Sequence, residues 1–221
     1  MTSDVNPLTL DNISAAMLSA AMLSAEDVKS AGSLLYLSYY DDPLFMKIFR
    51  AHESDYELRL RAAIREELTT FWHAQQPMIG LFNQQQLLGV ACLTEPNTDN
   101  GERLWHWRLK MLLTAGYVST KQLLEKEQTI HSAMPVEQYH MLAFLAVSPK
   151  HQALGLGHYL LHAVNSIVDK SPDSAGVGVF VTLDKYKSLF TDNHYQNVEE
   201  LSFDNVSGYL MFRPKQPALS T

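Results

Sequence analysis

The 221-residue sequence contains a single cysteine, Cys92, so no disulfide can close within the chain. Cys92 lies inside the apolar run Leu87-Leu88-Gly89-Val90-Ala91-Cys92-Leu93 and reads as a strand residue. Basic residues are scarce. Seventeen Lys+Arg face 24 Asp+Glu, a formal net charge of −7, which argues against general affinity for nucleic acid or anionic membrane and suits a cationic partner. No apolar run is long enough to span a bilayer. The opening Met1-Thr2-Ser3-Asp4-Val5-Asn6-Pro7 has neither the positive charge of a secretory signal nor the arginines of a transit peptide, so the expectation is a soluble, cytoplasmic protein. The nine histidines are scattered, and no His/Cys/Asp/Glu cluster has metal-ligand spacing, so no metal site is expected. The one repeat, Ala16-Met17-Leu18-Ser19-Ala20 followed by Ala21-Met22-Leu23-Ser24-Ala25, is too short for a solenoid and reads as a local duplication in an N-terminal arm.

What is present is a globular composition, 46% hydrophobic and 19% charged, in a length that suits one elaborated domain. The expected organisation is an arm over 1–20, a domain over 21–213 with a helical insertion at 96–135, and a tail over 214–221. Ser24 and Asp27 resemble a capping box, with Asp in the place of Glu or Gln, and open a helix through Val28, Leu34, Leu35 and Leu37 that Asp41-Asp42-Pro43 ends. A second helix over Tyr56 to Ala74 sets Leu60, Ile64, Leu68 and Phe71 on one face. Met78 to Phe82 and Leu87 to Leu93 read as two antiparallel strands around the polar turn Asn83 to Gln86. Helical patterns at Arg103 to Leu113 and Ser119 to Ile130 form the insertion, separated by Gly116 and stopped before Pro135. Tyr139 to Val147, almost continuously apolar, reads as a central strand buried on both faces, followed by a helix from Gln152 to Val168. The last third reads as a strand at Gly178 to Leu183, a short helix through Leu189 and Phe190, and strands at Glu199 to Phe203 and Tyr209 to Arg213.

The segment with chemical content is Val147-Ser148-Pro149-Lys150-His151-Gln152-Ala153-Leu154-Gly155-Leu156-Gly157-His158, which passes from buried strand through a tight turn into a helix. Gly155 and Gly157 let backbone approach a ligand closely, and the amides and dipole at the helix start favour an anion such as pyrophosphate. Lys150 and His151 lie where either could meet an additional phosphate, although an exposed lysine in a polar turn is commonly just solvated. A dinucleotide fold would need three spaced glycines and a downstream acidic residue, and a P-loop would need Gly-Lys-Ser/Thr; neither is here.

The turn resembles that of the GNAT superfamily of acyl-CoA N-acyltransferases, Gln/Arg-x-x-Gly-x-Gly/Ala after a strand ending in Val-x-Pro, matched at Val147, Pro149, Gln152, Gly155 and Gly157. Ala25-Glu26-Asp27, Asp42-Pro43-Leu44-Phe45 and the helical insertion are similar to one branch of it. The resemblance implies an α+β fold: a central, mixed and mostly antiparallel sheet, helices on both faces, and one parallel pair splayed to admit CoA. It further implies that Leu145, Ala146 and Val147 hold the pantetheine arm as an added strand would, with Lys150, Gln152, Ala153, Leu154, Gly155, Leu156, Gly157 and His158 around the pyrophosphate. The implied reaction is transfer of an acetyl or other acyl group from acetyl-CoA to a primary amine of a small molecule or peptide.

The acid and base are less legible. Where the family pattern has Leu-Tyr-x-x-x-Gly-Phe, this chain has Leu189-Phe190 and His194-Tyr195, so the usual proton donor is missing at Phe190. Tyr186, one helical turn earlier, could supply the proton; solvent could; or catalysis has been lost, leaving a CoA-binding sensor or partner-binding module. For the base, the start of the central strand offers Glu137, Tyr139 and His140, of which His140 is taken as the candidate, against an equal reading as a strand-edge residue. Trp105-His106-Trp107 reads equally as acceptor pocket and as packing. The acceptor is not disclosed, and the oligomeric state is open, a homodimer included.

Overall fold

The computed structural model describes residues 18–96, 117–203 and 205–217. Seven strands form one sheet in the order β1-β2-β3-β4-β5-β7-β6. They are β1 (Leu18–Met22), β2 (Met78–Asn83), β3 (Gln86–Thr94), β4 (His140–Val147), β5 (Gly176–Val181), β6 (Gln196–Phe203) and β7 (Val206–Pro214). Every neighbouring pair is antiparallel except β4 and β5. This is the mostly antiparallel α+β architecture with one parallel pair that the sequence leads one to expect.

The helices are α1 (Asp27–Tyr39), α2 (Pro43–Ile48), α3 (Tyr56–His73), α4 (Tyr117–Ala133), α5 (Leu156–Lys170) and α6 (Lys187–Thr191). Only half of the expected capping box forms ahead of α1: the Ser24 amide and hydroxyl both donate to Asp27 Oδ2, at 2.8 and 2.6 Å, while the cap residue is Glu26 and no side chain accepts from the first helix amides. On one face of the sheet, Leu35 of α1, Leu60, Ile64 and Leu68 of α3, and Leu123 of α4 pack against Val90, Cys92, Phe144 and Ala146. On the other, Leu160, Leu161, Val164 and Val168 of α5 cover Leu88, Ala91, Leu142, Val177 and Met211. Alternation along β3 thus feeds both cores. Burial pushes the Cys92 thiol far above its ordinary value, which keeps it protonated and unreactive.

Three elements differ from the sequence reading. β1 runs across the repeat, pairing Leu18 with Asn83 and Met22 with Ile79, so part of the duplicated segment is an edge strand. Asp41-Asp42-Pro43 ends α1 and also begins α2. The helix after the central strand starts at Leu156, because Pro149–His151 is a 3-10 turn and residues 152–155 form an open turn before it. The segment holding Arg103 to Leu113 and Trp105-His106-Trp107 lies outside the described residues.

One irregularity opens the sheet. In the β3–β4 ladder Cys92 faces Phe144 while Leu93 faces Leu142, leaving Ala143 unmatched as a bulge. On its other side β4 pairs with β5 only at His140, Met141 and Leu142. Parallel pairing therefore stops where the bulge bends β4, and the two strands diverge beyond it.

Candidate functional site

Between the diverging strands lies a cavity of about 430 Å³. Leu142, Ala143, Leu145, Ala146 and Val147 of β4 form one wall, and Val179, Phe180 and Val181 of β5 the other. One end of it is lined by the turn after β4. There Ala153 (φ 62°) and Gly155 (φ 74°) are both left-handed, the backbone conformation from which anion-binding turns are built. A Cβ on Gly155 would meet nothing within 4 Å, so backbone there is open to a ligand, and no side chain caps the start of α5. At Gly157 a Cβ would come within 3.1 Å of Leu189, so this glycine lets α5 pack against α6.

The cofactor residues named from the sequence line this cavity, except Lys150 and Leu154. Lys150 is exposed, whereas His151 turns inward, 5% exposed, with no partner on Nδ1. The Asn193 side-chain nitrogen, which also donates to the Leu189 carbonyl at 2.7 Å, lies 2.8 Å from His158 Nδ1 and can donate to it, leaving Nε2 to act as a donor.

The expected catalytic pair divides. Tyr186 lines the cavity, 37% exposed, with Lys185 Nζ 4.8 Å from its ring centroid. Phe190 also reaches the cavity but is otherwise core, its ring edge-on to Tyr195 at 5.3 Å. His140 is not among the cavity residues. It is 1% exposed, its Nδ1 lies 2.8 Å from the Ser174 hydroxyl, and burial lowers its pKa, so it ties β4 to the segment before β5 and stands about 16 Å along the strand from Leu145. The assignment of His140 as base is therefore corrected. Glu137 is exposed, and Tyr139 bonds His131 at 2.8 Å; neither reaches the cavity.

Among the cavity residues that sequence reasoning missed are three between the end of α1 and the cap of α2. Ser38, Tyr39 and Asp42 all line the cavity. Asp42 is 7% exposed; its Oδ1 caps α2 by accepting from the Leu44 and Phe45 amides, both at 3.0 Å, and its Oδ2 accepts from the Thr182 hydroxyl just past β5. The Asp42-Pro43 signal for a helix start was present in the sequence, but its position over the cleft was not. Tyr39 reaches β4: its hydroxyl accepts from the Leu145 amide at 3.1 Å and donates to the Leu145 carbonyl at 3.2 Å.

No family model matches the sequence, and no curated protein matches it. Solved structures do match the fold. A histone acetyltransferase and related acetyltransferase from Corynebacterium glutamicum superposes with a TM-score of 0.68 at 15% identity, over 92% of this chain and 99% of that one. A mosquito arylalkylamine N-acetyltransferase-like protein gives 0.61 at 12% identity, over 89% and 99%. The C-terminal condensation domain of Ebony, solved with beta-alanyl-dopamine, gives 0.64 at 13% identity, over 89% and 98%. The chain shares the fold of these solved acetyltransferases. Among the described residues no helix is long and apolar enough to cross a membrane.

Proposed function

We propose that this protein is an acyl-CoA-dependent N-acetyltransferase acting on a primary amine of a small molecule or peptide. The observation that carries the reading is the continuous path from the edge of β4 at Leu145 and Val147, which has no partner on β5, into the left-handed turn at Ala153 and Gly155. Strand edge, left-handed turn and open glycine match the parts of one ligand in order: an amide-bearing pantetheine arm, then a pyrophosphate. Leu145 and Val147 would hold the arm, and the turn from Gln152 to His158 the phosphates, with His158 Nε2–H as a neutral donor. Bound there, acetyl-CoA supplies an acyl group activated as a thioester.

On the acceptor side, Asp42 is the carboxylate of the cavity, and three protein donors hold its geometry fixed. It would attract a protonated amine, consistent with the net charge of −7, and take its proton directly or through a water before attack on the acyl carbon. Tyr186 would return a proton to the departing thiolate. Positioning and backbone polarisation supply the remainder, and no covalent enzyme intermediate is needed.

The test is twofold. Acetyl-CoA at about 100 times its dissociation constant should raise unfolding free energy by roughly 2.7 kcal/mol, and CoA thiol should appear when an amine panel is added. Unchanged melting refutes the cofactor site. Binding without thiol release on any amine would instead support a CoA-binding module, the reading that Phe190 at the usual tyrosine position favours.

A further inference from the structure

Where two strands diverge, each leaves backbone donors and acceptors without a ladder partner, and buried groups of this kind are costly unless something else satisfies them. On β4 beyond the bulge these groups belong to Leu145 and Val147. Their partners are side chains. The Tyr39 hydroxyl takes both groups of Leu145, at 3.1 and 3.2 Å, doing with one oxygen what a paired strand residue does with two groups. The Ser38 hydroxyl and the Gln152 side-chain amide donate to the Val147 carbonyl at 3.4 and 3.2 Å.

Tyr39 is held for this task. Its ring packs edge-on to Phe144 at 5.6 Å and tilted against Phe45 at 5.2 Å. Burial, reinforced by the Asp42 carboxylate, pushes the phenol well above its ordinary pKa, so it stays neutral and can donate and accept together. Its place along the cleft is also informative. Val147 leads into the phosphate turn, and Leu145 lies two residues deeper, so Tyr39 covers the groups farthest from the phosphates.

Resting on the cofactor reading above, we propose that Tyr39 is a placeholder for the thioester end of acyl-CoA: its hydroxyl occupies the Leu145 amide and carbonyl in the free protein and must yield them on binding. It is a positioning residue that sets affinity for the arm of the cofactor and leaves the phosphate end untouched. A merely structural tyrosine would affect stability without distinguishing one end of the ligand from the other.

The experiment compares wild type with Tyr39→Phe, which keeps the ring packing, by calorimetric titration against acetyl-CoA and against adenosine 3′-phosphate 5′-diphosphate, which lacks the arm. With the competing hydroxyl gone, acetyl-CoA should bind about 3- to 10-fold more tightly, the equivalent of roughly one net hydrogen bond. The arm-less nucleotide should bind both proteins equally. Acetyl-CoA affinity that is unchanged or weaker, or an equal shift for both ligands, overturns the proposal. If wild type binds neither ligand, the cofactor reading itself fails and the placeholder role with it.

Discussion

Asp42 caps a helix, and the proposed mechanism gives it a second task that a single substitution can separate from the first. As the cap of α2 it accepts two amide hydrogen bonds through Oδ1 and a hydroxyl bond through Oδ2. As the cavity carboxylate it would receive the proton of the amine. Asp42→Asn keeps a side-chain oxygen for Leu44 and Phe45 and presents an NH2 group to the Thr182 hydroxyl, which can reverse its role from donor to acceptor. Its stability should therefore stay within about 0.5 kcal/mol of wild type, since Asn and Asp cap almost equally well. Asp42→Ala loses all three bonds and should cost about 1 to 2 kcal/mol, a fall in Tm of about 2 to 8 °C for a chain of this size. Activity should order the variants differently. Both lose the base, so both should show kcat/KM for the best amine lowered by about 100-fold or more, a barrier increase of about 2.7 kcal/mol. The measurement pairs thermal unfolding with thiol release over a range of pH. A fully active Asp42→Asn enzyme would refute the base, and activity that tracked stability across the pair would reduce Asp42 to a cap.

Three further outcomes are expected. Gly155→Glu should abolish CoA binding by titration, because the left-handed φ of 74° disfavours a side chain and a carboxylate there would repel the pyrophosphate; wild-type affinity would place the cofactor elsewhere. Tyr186→Phe should lower turnover by about 100-fold with little change in CoA affinity, and a silent Tyr186→Phe beside an activated Phe190→Tyr would assign the proton to solvent. Asp169→Ala should cost about 3 kcal/mol in urea unfolding, because it strands Arg213, 4% exposed and held bidentately at 2.9 and 2.8 Å. Burial raises the Asp169 carboxyl, but Arg213, the Gln216 amide and Lys215 together outweigh it and leave its pKa below the usual value. The stability that Asp169 provides is therefore complete above the unfolded pKa of about 4 and fades as pH falls through the folded value, so the wild-type advantage over the variant should shrink in acid.

How much of this was legible in the sequence depended on how local the determinants are. The turn from Gln152 to His158 is built by contiguous residues whose backbone angles depend on glycine placement, so a motif could be read there. The parallel pair and the helices on both faces were implied by the resemblance that this turn carries, while apolar periodicity located the individual strands and helices. Tyr39 and Asp42 could not be found in that way, because their partners lie 106 and 140 residues along the chain and no spacing rule links them. His140 misled for a related reason: its type and its place on the central strand suit a base, but the Ser174 hydroxyl that engages it is 34 residues away. β1 escaped notice because four of its five residues are exposed and its Ala, Met and Ser carry little strand signal.

The bulge at Ala143 has a mechanical meaning. With only His140, Met141 and Leu142 joining β4 to β5, the sheet is two stiff plates meeting at a short seam, one carrying β1 to β4 and the other β5 to β7. Beyond the seam the two plates are joined by packing, with Leu160, Leu161, Val164 and Val168 of α5 against residues of both. Across the gap the Asp42–Thr182 hydrogen bond is a latch, and the carboxylate that would meet the amine is also the one fastening the far plate. A ligand that drew on Asp42 would therefore loosen the one side-chain bond described between α2's cap and the segment past β5.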